Sequence, residues 1–171
     1  MNIVVYLKPF DEKEQLENDG IACTNISEND RAAIEAALRQ KQKTGATVIA
    51  FAVGDETADT QLREAFAMGA DDAVLFQTSG EEAANALVIA SALKKLRADC
   101  YITGKVTDLS LIERVAKLAG FQITDANTDE VPVSADNTYF ALASAEAIKP
   151  RYMQIAGIYT AYRRKVRQLV F

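Results

Sequence analysis

Short, mainly apolar runs alternate with amphipathic stretches over most of the chain, and this alternation is the feature that most restricts the fold. Residues 2–7 (NIVVYL), 46–52 (ATVIAFA) and 72–76 (DAVLF) have the length and composition of buried strands. Between these runs, apolar residues recur at helical spacing. Strand–helix alternation with short connections predicts a doubly wound, mostly parallel α/β sheet with helices on both faces.

Capping residues mark the ends of the predicted helices. Ser27 stands before Glu28 and Asp30, and a hydroxyl followed by acids complements the free N–H groups of a first helical turn. In the third predicted helix, Leu87, Ala90 and Leu93 are expected to face the core. The predicted helices cover residues 27–45, 57–68, 81–96 and 108–119, and the first, second and fourth close at Gly45, Gly69 and Gly120.

Two further strands complete the predicted sheet. Residues 99–103 (DCYIT) form the fourth strand and a fifth begins at Phe121, which gives a five-stranded sheet. Residues 10–26 are polar and are predicted to form a loop. Beyond residue 124 the rhythm breaks, and one more strand is predicted in TYFALAS, residues 138–144. We expect one α/β domain over residues 1–146 and a basic C-terminal arm over residues 147–171.

Composition excludes several classes of function. The 171 residues contain no His, which removes Ser–His and Cys–His nucleophilic systems and His-ligated zinc. No apolar run approaches the roughly 20 residues that span a bilayer. Cys23 and Cys100 give neither a metal-ligand spacing nor a disulfide framework, and the N-terminus lacks the pattern of a signal peptide. We expect a reduced, cytoplasmic protein without a membrane span.

Charge is divided unevenly along the chain. All 24 acidic residues lie at or before Glu146, whereas six of the 19 basic residues follow it, so residues 1–146 carry −11 and the tail carries +6. Blocks of one sign often belong to interaction arms, and this one is interleaved with apolar residues, which favours a protein partner over nucleic acid. Six apolar residues of the tail recur at roughly helical spacing, and this apolar stripe either covers a partner or folds back on the chain's own sheet. Its members are Ile155, Ile158, Tyr159, Tyr162, Val166 and Leu169.

Ligands of an open parallel sheet bind beyond the carboxyl ends of the strands, where the strand order reverses. Gly104 would let a ligand approach the backbone, Lys105 supplies a cation, and the N–H groups of the next helix suit an anion. A plain strand-to-helix turn with a solvated lysine is the alternative. The glycine spacings of the Walker loop and of the dinucleotide fingerprint are absent. The positions that qualify are Leu7, Lys8 and Pro9 after the first strand, Val53, Gly54 and Asp55 after the second, and residues 103–110 after the fourth.

Four stretches carry a more specific pattern. They are SENDRAAIEAALRQKQK at 27–43, ATVIAFAVGDETADTQLREAFAMGADDAVLF at 46–76, ITGKVTD at 102–108 and KPRYMQIAGIYTAYRRK at 149–165. Together they resemble the beta subunit of electron transfer flavoprotein, a family with an adenine-nucleotide alpha-hydrolase-like fold. The chain departs from the family in having Ser27-Glu28 for Asn-Pro and Asp55 for a proline. The nucleotide loop after the fourth strand and the segment before the closing motif are shorter.

The resemblance implies a nucleotide site and a partner surface. The family's beta subunit binds AMP, or FAD as a second flavin in bifurcating members, and its arm reaches an FAD-carrying alpha subunit. No residue is assigned catalysis, because the chemistry belongs to the flavin. The cofactor contacts that the resemblance carries over are Lys8, Val53, Gly54, Gly104, Lys105, Thr107, Asp108 and Ser110. The partner contacts are Arg151, Tyr152, Ile158, Tyr159, Tyr162 and Arg163.

Three functions remain open at this point. The first is an electron transfer flavoprotein beta-like subunit, not an enzyme by itself, which relays electrons from a dehydrogenase as part of a heterodimer. The second is a stand-alone adenine-nucleotide-binding or sensing module of the same fold, or a degenerate scaffold, and it predicts a homodimer formed through the tail. The third, a hydrolase or adenylyl-transfer enzyme, needs a glycine- and serine-rich phosphate loop after the first strand, where the sequence Lys-Pro-Phe-Asp stands at 8–11.

Overall fold

A computed structural model describes residues 1–8, 26–79, 82–126 and 131–170. Apart from Ile26, the predicted loop over residues 10–26 lies outside the described residues, as do Cys23 and the predicted helix start at Glu81. The strands are β1 (Asn2–Leu7), β2 (Thr47–Gly54), β3 (Asp72–Gln77), β4 (Cys100–Gly104), β5 (Gln122–Asp125), β6 (Tyr139–Ala143) and β7 (Arg167–Leu169). The helices are α1 (Glu28–Thr44), α2 (Ala58–Met68), α3 (Ala86–Leu96), α4 (Ser110–Ala119) and α5 (Ile155–Arg163).

All of these strands belong to one sheet, in the order β5-β6-β4-β1-β2-β3-β7, and every pairing is parallel. The doubly wound parallel class is therefore confirmed. The predicted count of five strands is wrong, because seven strands pair within the described residues. Past the break in rhythm, β6 inserts between β4 and β5, and β7 adds to the edge of β3. Since β7 has only the three residues Arg-Gln-Leu, it gives no apolar run that a sequence pattern could detect.

Helices cover both faces of the sheet, and strand residues point alternately to the two faces. Val5 and Leu7 pack in the core beneath α1 and α2, whereas Val4 and Tyr6 pack beneath α3 and α4. Helix α5 lies against α2 rather than on the sheet. In the described part of the chain, no helix is both long enough and apolar enough to cross a membrane.

The caps of α1 and α4 confirm the local sequence signals. Ser27 Oγ accepts a hydrogen bond from the Asp30 N–H at 3.1 Å, which satisfies one free donor of the first turn of α1. Gly45 closes the same helix with φ of 70°, and Gly120 closes α4 with φ of 79°. Both angles lie in the left-handed region, where a residue with a side chain is strained.

The third predicted helix starts later than the sequence pattern indicated. A 3₁₀ turn at Glu82–Ala84 comes first, and the Asn85 side chain then caps α3 by accepting from the Leu87 N–H at 3.0 Å. Ala90 and Leu93 are buried as predicted, but the inward assignment of Leu87 is wrong, because its side chain is 60% exposed. Ala86 and Ile89 fill the buried face instead, at the spacing of three and four residues that leads to Ala90 and Leu93.

Candidate functional site

The strand order reverses between β4 and β1, at the carboxyl edge of the sheet. From β1 the chain crosses through α1 to β2 on one side, whereas β4 lies on the other side of β1 and leads into α4. In open parallel sheets, connections that leave neighbouring strands for opposite faces form a crevice, and we call the corresponding place at the ends of β4 and β1 the crevice. The predicted cofactor residues lie at the ends of three neighbouring strands, β4, β1 and β2.

An ion pair closes the α1 side of this crevice. Lys8 Nζ lies 2.8 Å from Asp30 Oδ1, and it also donates to the Gly104 carbonyl at 2.7 Å. A third, longer contact of 3.4 Å reaches Thr103 Oγ1. The Asp30 side chain is 3% exposed and that of Lys8 is 15% exposed. The three donors of the ammonium are therefore all directed at groups of the protein, and the role of Lys8 as a cofactor contact stays a prediction.

Gly104 is fixed in this arrangement by packing against the start of α1. Its N–H donates to Asp30 Oδ1 at 2.9 Å. A Cβ atom at this position would stand 2.4 Å from the Asp30 nitrogen and 2.5 Å from the Asn29 carbonyl carbon. The sequence interpretation assigned the glycine to the approach of a ligand, whereas the structure shows the backbone of α1 in that space.

The loop between β4 and α4 is open to solvent. Its exposed members include Lys105, Thr107, Asp108 and Ser110. The Asp108 carboxylate accepts from the Ser110 N–H at 2.9 Å, and this hydrogen bond, with one from the Ser110 side chain, lowers the pKa of Asp108. Helix α4 begins at Ser110, with Leu109 at the N-cap position, rather than at the predicted Asp108.

The backbone at the end of β2 is packed less closely by its neighbours than the backbone at the end of β4. Val53 and Gly54 are buried, and the Gly54 carbonyl accepts from the Thr78 N–H at 2.9 Å. A Cβ on Gly54 would meet only Ala58 Cβ, at an ordinary 3.6 Å. Packing therefore requires a glycine at 104 and does not require one at 54.

Sequence reasoning missed the groups that hold the crevice together. Asp30 was interpreted only as an acid of a first helical turn, but it bonds Lys8 and Gly104. Thr103 donates through Oγ1 to the Tyr6 carbonyl at 2.9 Å, across the β4–β1 pair. The Tyr6 hydroxyl is buried without a hydrogen-bond partner in the described part of the chain, and burial raises the pKa of this phenol. A local sequence pattern carries no signal for these contacts, because they depend on strand order.

The closing segment is anchored to the domain by an arginine. Arg151 Nε lies 2.5 Å from Glu35 Oε2, and its Nη2 donates to Oε1 at 3.1 Å. Burial by itself would raise the pKa of Glu35, but the hydrogen bonds from Arg151 and Arg39 outweigh this effect and lower it. Arg151 thus holds the chain to α1, and the predicted partner contact through its side chain stays a prediction.

Helix α5 docks on α2 with one face and leaves the other open. Ala161 is buried, and a Cβ on Gly157 would stand 2.4 Å from the Ala67 carbonyl oxygen, so the two backbones are close. The opposite face carries large exposed side chains. Tyr152 precedes this helix, and it is exposed like Ile155, Ile158, Tyr159, Tyr162 and Arg163.

Among the described residues, three of the tail's six cations bond other groups of the chain. Besides Arg151, Arg164 donates through Nη1 to the Ala70 carbonyl at 2.8 Å, and Arg167 forms an ion pair with Asp72. The tail therefore folds back at β7, which was one of the two alternatives for the stripe. The division into residues 1–146 and 147–171 stays a prediction.

Comparisons with known proteins agree with the motifs. The family model described as "Electron transfer flavoprotein domain" matches residues 22–154. The electron transfer flavoprotein subunit beta of Clostridium acetobutylicum is 29% identical, with 98% of this chain and 77% of that protein covered. That of Thermoanaerobacterium thermosaccharolyticum is 27% identical, covering 96% and 76%. The acryloyl-CoA reductase electron transfer subunit gamma of Anaerotignum propionicum is 27% identical, covering 81% and 63%.

The alignment with the Thermoanaerobacterium protein extends over 207 positions, more than the 171 residues of the chain, so that relative has residues with no counterpart here. This agrees with the shortened segments noted in the sequence. The matched region takes in the carboxyl edge from Asp30 to Ser110 and the Arg151 anchor. By its fold, its motifs and this match over most of its length, the chain belongs to the electron transfer flavoprotein family as a beta-like member.

Proposed function

We propose that the chain is the beta-like subunit of an electron transfer flavoprotein. In this role it holds AMP or FAD at the carboxyl edge of the sheet and pairs with an FAD-carrying alpha-like subunit. It is not an enzyme by itself, and the bound flavin supplies the redox chemistry when electrons pass from a dehydrogenase. The observation that carries the proposal is the exposed aromatic face of α5, on a helix otherwise fixed to the domain.

On the side of the crevice formed by α4, the hydrogen-bond donors and the positive charge suit a nucleotide. Lys105, Thr107 and Ser110 offer a cation and two hydroxyls, and the first N–H groups of α4 suit a phosphate. Asp108 fits a ribose hydroxyl rather than a phosphate, since two negative groups would repel each other. On the α1 side, Lys8 and Gly104 support the site by fixing the loop ends, and Val53 and Gly54 border it at β2.

The α5 face fits a protein partner of matching chemistry. Tyr159 and Tyr162 are 73% and 74% exposed, and Ile155 is 75% exposed. Large apolar and aromatic side chains in one exposed row are typical of interface anchors. Arg163 at the end of the row would meet an acidic or carbonyl-rich rim of the alpha-like subunit.

Native mass spectrometry of the purified chain, followed by denaturing release of any small molecule, tests the nucleotide part. AMP or FAD recovered at about one equivalent is the expected result. A chain that is empty on purification and stays empty after incubation with both would overturn it. Titration with a purified alpha-like subunit, followed by light scattering, tests the heterodimer separately.

The stand-alone module of the same fold remains the second candidate. The observation that favours it, in its form as a degenerate scaffold, is the saturation of Lys8 by Asp30, Thr103 and Gly104, which leaves this ammonium no donor for a nucleotide. This candidate predicts a homodimer through the tail. Light scattering of the chain alone separates the two functions, since the beta-like subunit should be monomeric until the alpha-like subunit is added.

A further inference from the structure

A cleft with an excess of positive charge lies between α2 and the end of the chain. Its volume is about 950 Å³, and its shape is open rather than enclosed. The residues around it are Asp59, Arg63, Arg163, Arg164, Lys165, Val166, Arg167, Gln168 and Leu169. Five of these nine side chains are cationic and one is acidic. We call this surface the basic cleft.

Three of the cations, Arg63, Arg164 and Arg167, are held in place by the protein, and Arg167 is paired with Asp72. Arg63 pairs with Asp59 at 2.6 Å and donates to the Ala161 carbonyl at 3.2 Å, which ties α2 to the end of α5. Arg164 donates only to carbonyl oxygens and lies over the Phe66 ring at 4.3 Å, so no carboxylate of the described residues neutralises it. The cleft is thus a fixed structure with unbalanced charge, not a set of mobile side chains.

The other two cations are available to a partner. Arg163 and Lys165 are exposed, and neither has an ion pair or a hydrogen bond from its side chain within the described residues. The body of the chain carries −11, so this surface has the opposite sign to the rest of the molecule. Charge complementarity therefore favours an acidic occupant here and disfavours a basic one.

The basic cleft also borders an open edge of the sheet. β7 pairs with β3 on one side only, and it is the last strand in the sheet order within the described residues. The outer edge of a terminal strand presents N–H and C=O groups that can pair with an added strand. Arg167 and Gln168 are exposed at this edge. The cations of the basic cleft would repel β7 of a second copy of this chain, and they would attract a strand that carries acidic residues.

We propose that the basic cleft binds an extended acidic segment of a partner protein, which adds to β7 as a further strand. Its backbone pairs with the outer edge of β7, and its carboxylates meet Arg163 and Lys165. An open cleft along a strand edge suits an extended chain better than a compact anion, since a compact anion would need converging donors around it. The site is separate from the crevice at β4 and β1, and it adjoins the aromatic face of α5 at Arg163, which belongs to both surfaces.

Fluorescence anisotropy of a labelled peptide of about eight alternating Glu and Thr residues tests this proposal on the full chain. We expect saturable binding that weakens as salt rises from about 50 mM to about 500 mM. Arg163→Glu combined with Lys165→Glu should weaken the peptide at least about ten-fold. Arg114→Glu combined with Lys117→Glu is the matched control, because it reverses two exposed charges on α4 and should leave binding unchanged.

Three results would overturn the proposal. Equal binding of a Lys and Thr peptide would show that charge does not select the occupant. Equal binding of the acidic peptide with N-methyl groups on every residue would exclude strand addition, because such a peptide has no N–H donor on either edge and cannot pair its backbone with β7. A homodimer of the chain that dissociates in the Arg163→Glu, Lys165→Glu variant would identify a second copy as the occupant.

Discussion

Lys8 and Asp30 are joined by an ion pair of 2.8 Å that links the end of β1 to the first turn of α1, and both groups also bond Gly104 at the end of β4. One buried carboxylate and one nearly buried ammonium thus fix three elements at the point where the strand order reverses. The pair positions the edge of the sheet on which the proposed nucleotide site depends.

Asp30→Asn should destabilise the fold. The amide cannot offer a full negative charge to Lys8, and a nearly buried ammonium would lose its counter-ion, so we expect a loss of about 2 kcal/mol. Urea unfolding followed by circular dichroism measures it. Asp59→Asn is the control, because its pair with Arg63 is about one-third exposed and should contribute about 0.5 kcal/mol or less. Equal losses in the two variants would contradict the role given to Lys8 and Asp30.

Gly104→Ala and Gly54→Ala should differ strongly. At 104 the added methyl group collides with backbone atoms of Asn29 and Asp30, which cannot rotate away, and we expect a loss of about 2 kcal/mol or more. At 54 it makes only one ordinary contact, so the change should stay within about 1 kcal/mol of zero. Thermal unfolding of both variants checks the contrast. A mild Gly104→Ala variant would mean that α1 does not pack on β4 as described.

Arg151→Met should lose stability in a pH-dependent way. Arg151 lowers the pKa of Glu35 in the folded chain, so its contribution is present above the ordinary value of 4.5 and is lost as the pH falls through the lower folded value. At pH 7 we expect a loss of about 1.5 kcal/mol, in keeping with hydrogen bonds between charged groups. Urea unfolding at pH 7 and pH 3 should show the difference between variant and wild type shrinking at the lower pH. A difference independent of pH would indicate packing alone.

Tyr159→Ala with Tyr162→Ala should weaken binding of the alpha-like subunit and leave the thermal midpoint nearly unchanged. Both side chains are exposed, so their removal costs the isolated domain little. Gly157→Ala should do the reverse to the isolated chain, since its methyl group would push α5 away from the Ala67 carbonyl. Differential scanning fluorimetry and a binding titration separate the two effects. A large fall in the midpoint of the tyrosine variant would show that these rings pack on the chain itself.

Tyr6→Phe should be neutral or stabilising in the ligand-free chain, by up to about 1 kcal/mol. The phenol is buried and its hydroxyl has no partner among the described residues, so its removal relieves a desolvation cost. Urea unfolding measures the change. The same variant in the presence of AMP reports whether a ligand uses this hydroxyl, because its affinity would then fall. A clear loss of stability without ligand would reveal a hydrogen bond to the hydroxyl.

Sequence predicted the features of this protein that are local. Ser27 and Gly45 mark the ends of α1, because capping depends on interactions within a few residues. The apolar runs of β1 to β4 can likewise be read from the sequence without knowledge of the fold. The pair of Lys8 and Asp30 depends on which strands become neighbours, which no local pattern contains. Leu87 was misplaced because its spacing to Ala90 and Leu93 is also helical, but the face that packs on the sheet is centred on Ala86, Ile89, Ala90 and Leu93. Strand β7 has only three residues, too few to show the alternating or apolar pattern by which a strand is predicted.

The position of β7 affects how readily the protein aggregates at high concentration. Without this strand, β3 would end the sheet, and its run from Ala73 to Phe76 is fully buried and apolar. An unpaired apolar strand is a template for aggregation, whereas a short strand with Arg167 at its start is a poor one. Strand β7 thus covers the apolar edge of β3 and protects it from aggregation. We expect a variant that lacks β7 to lose solubility before it loses its fold.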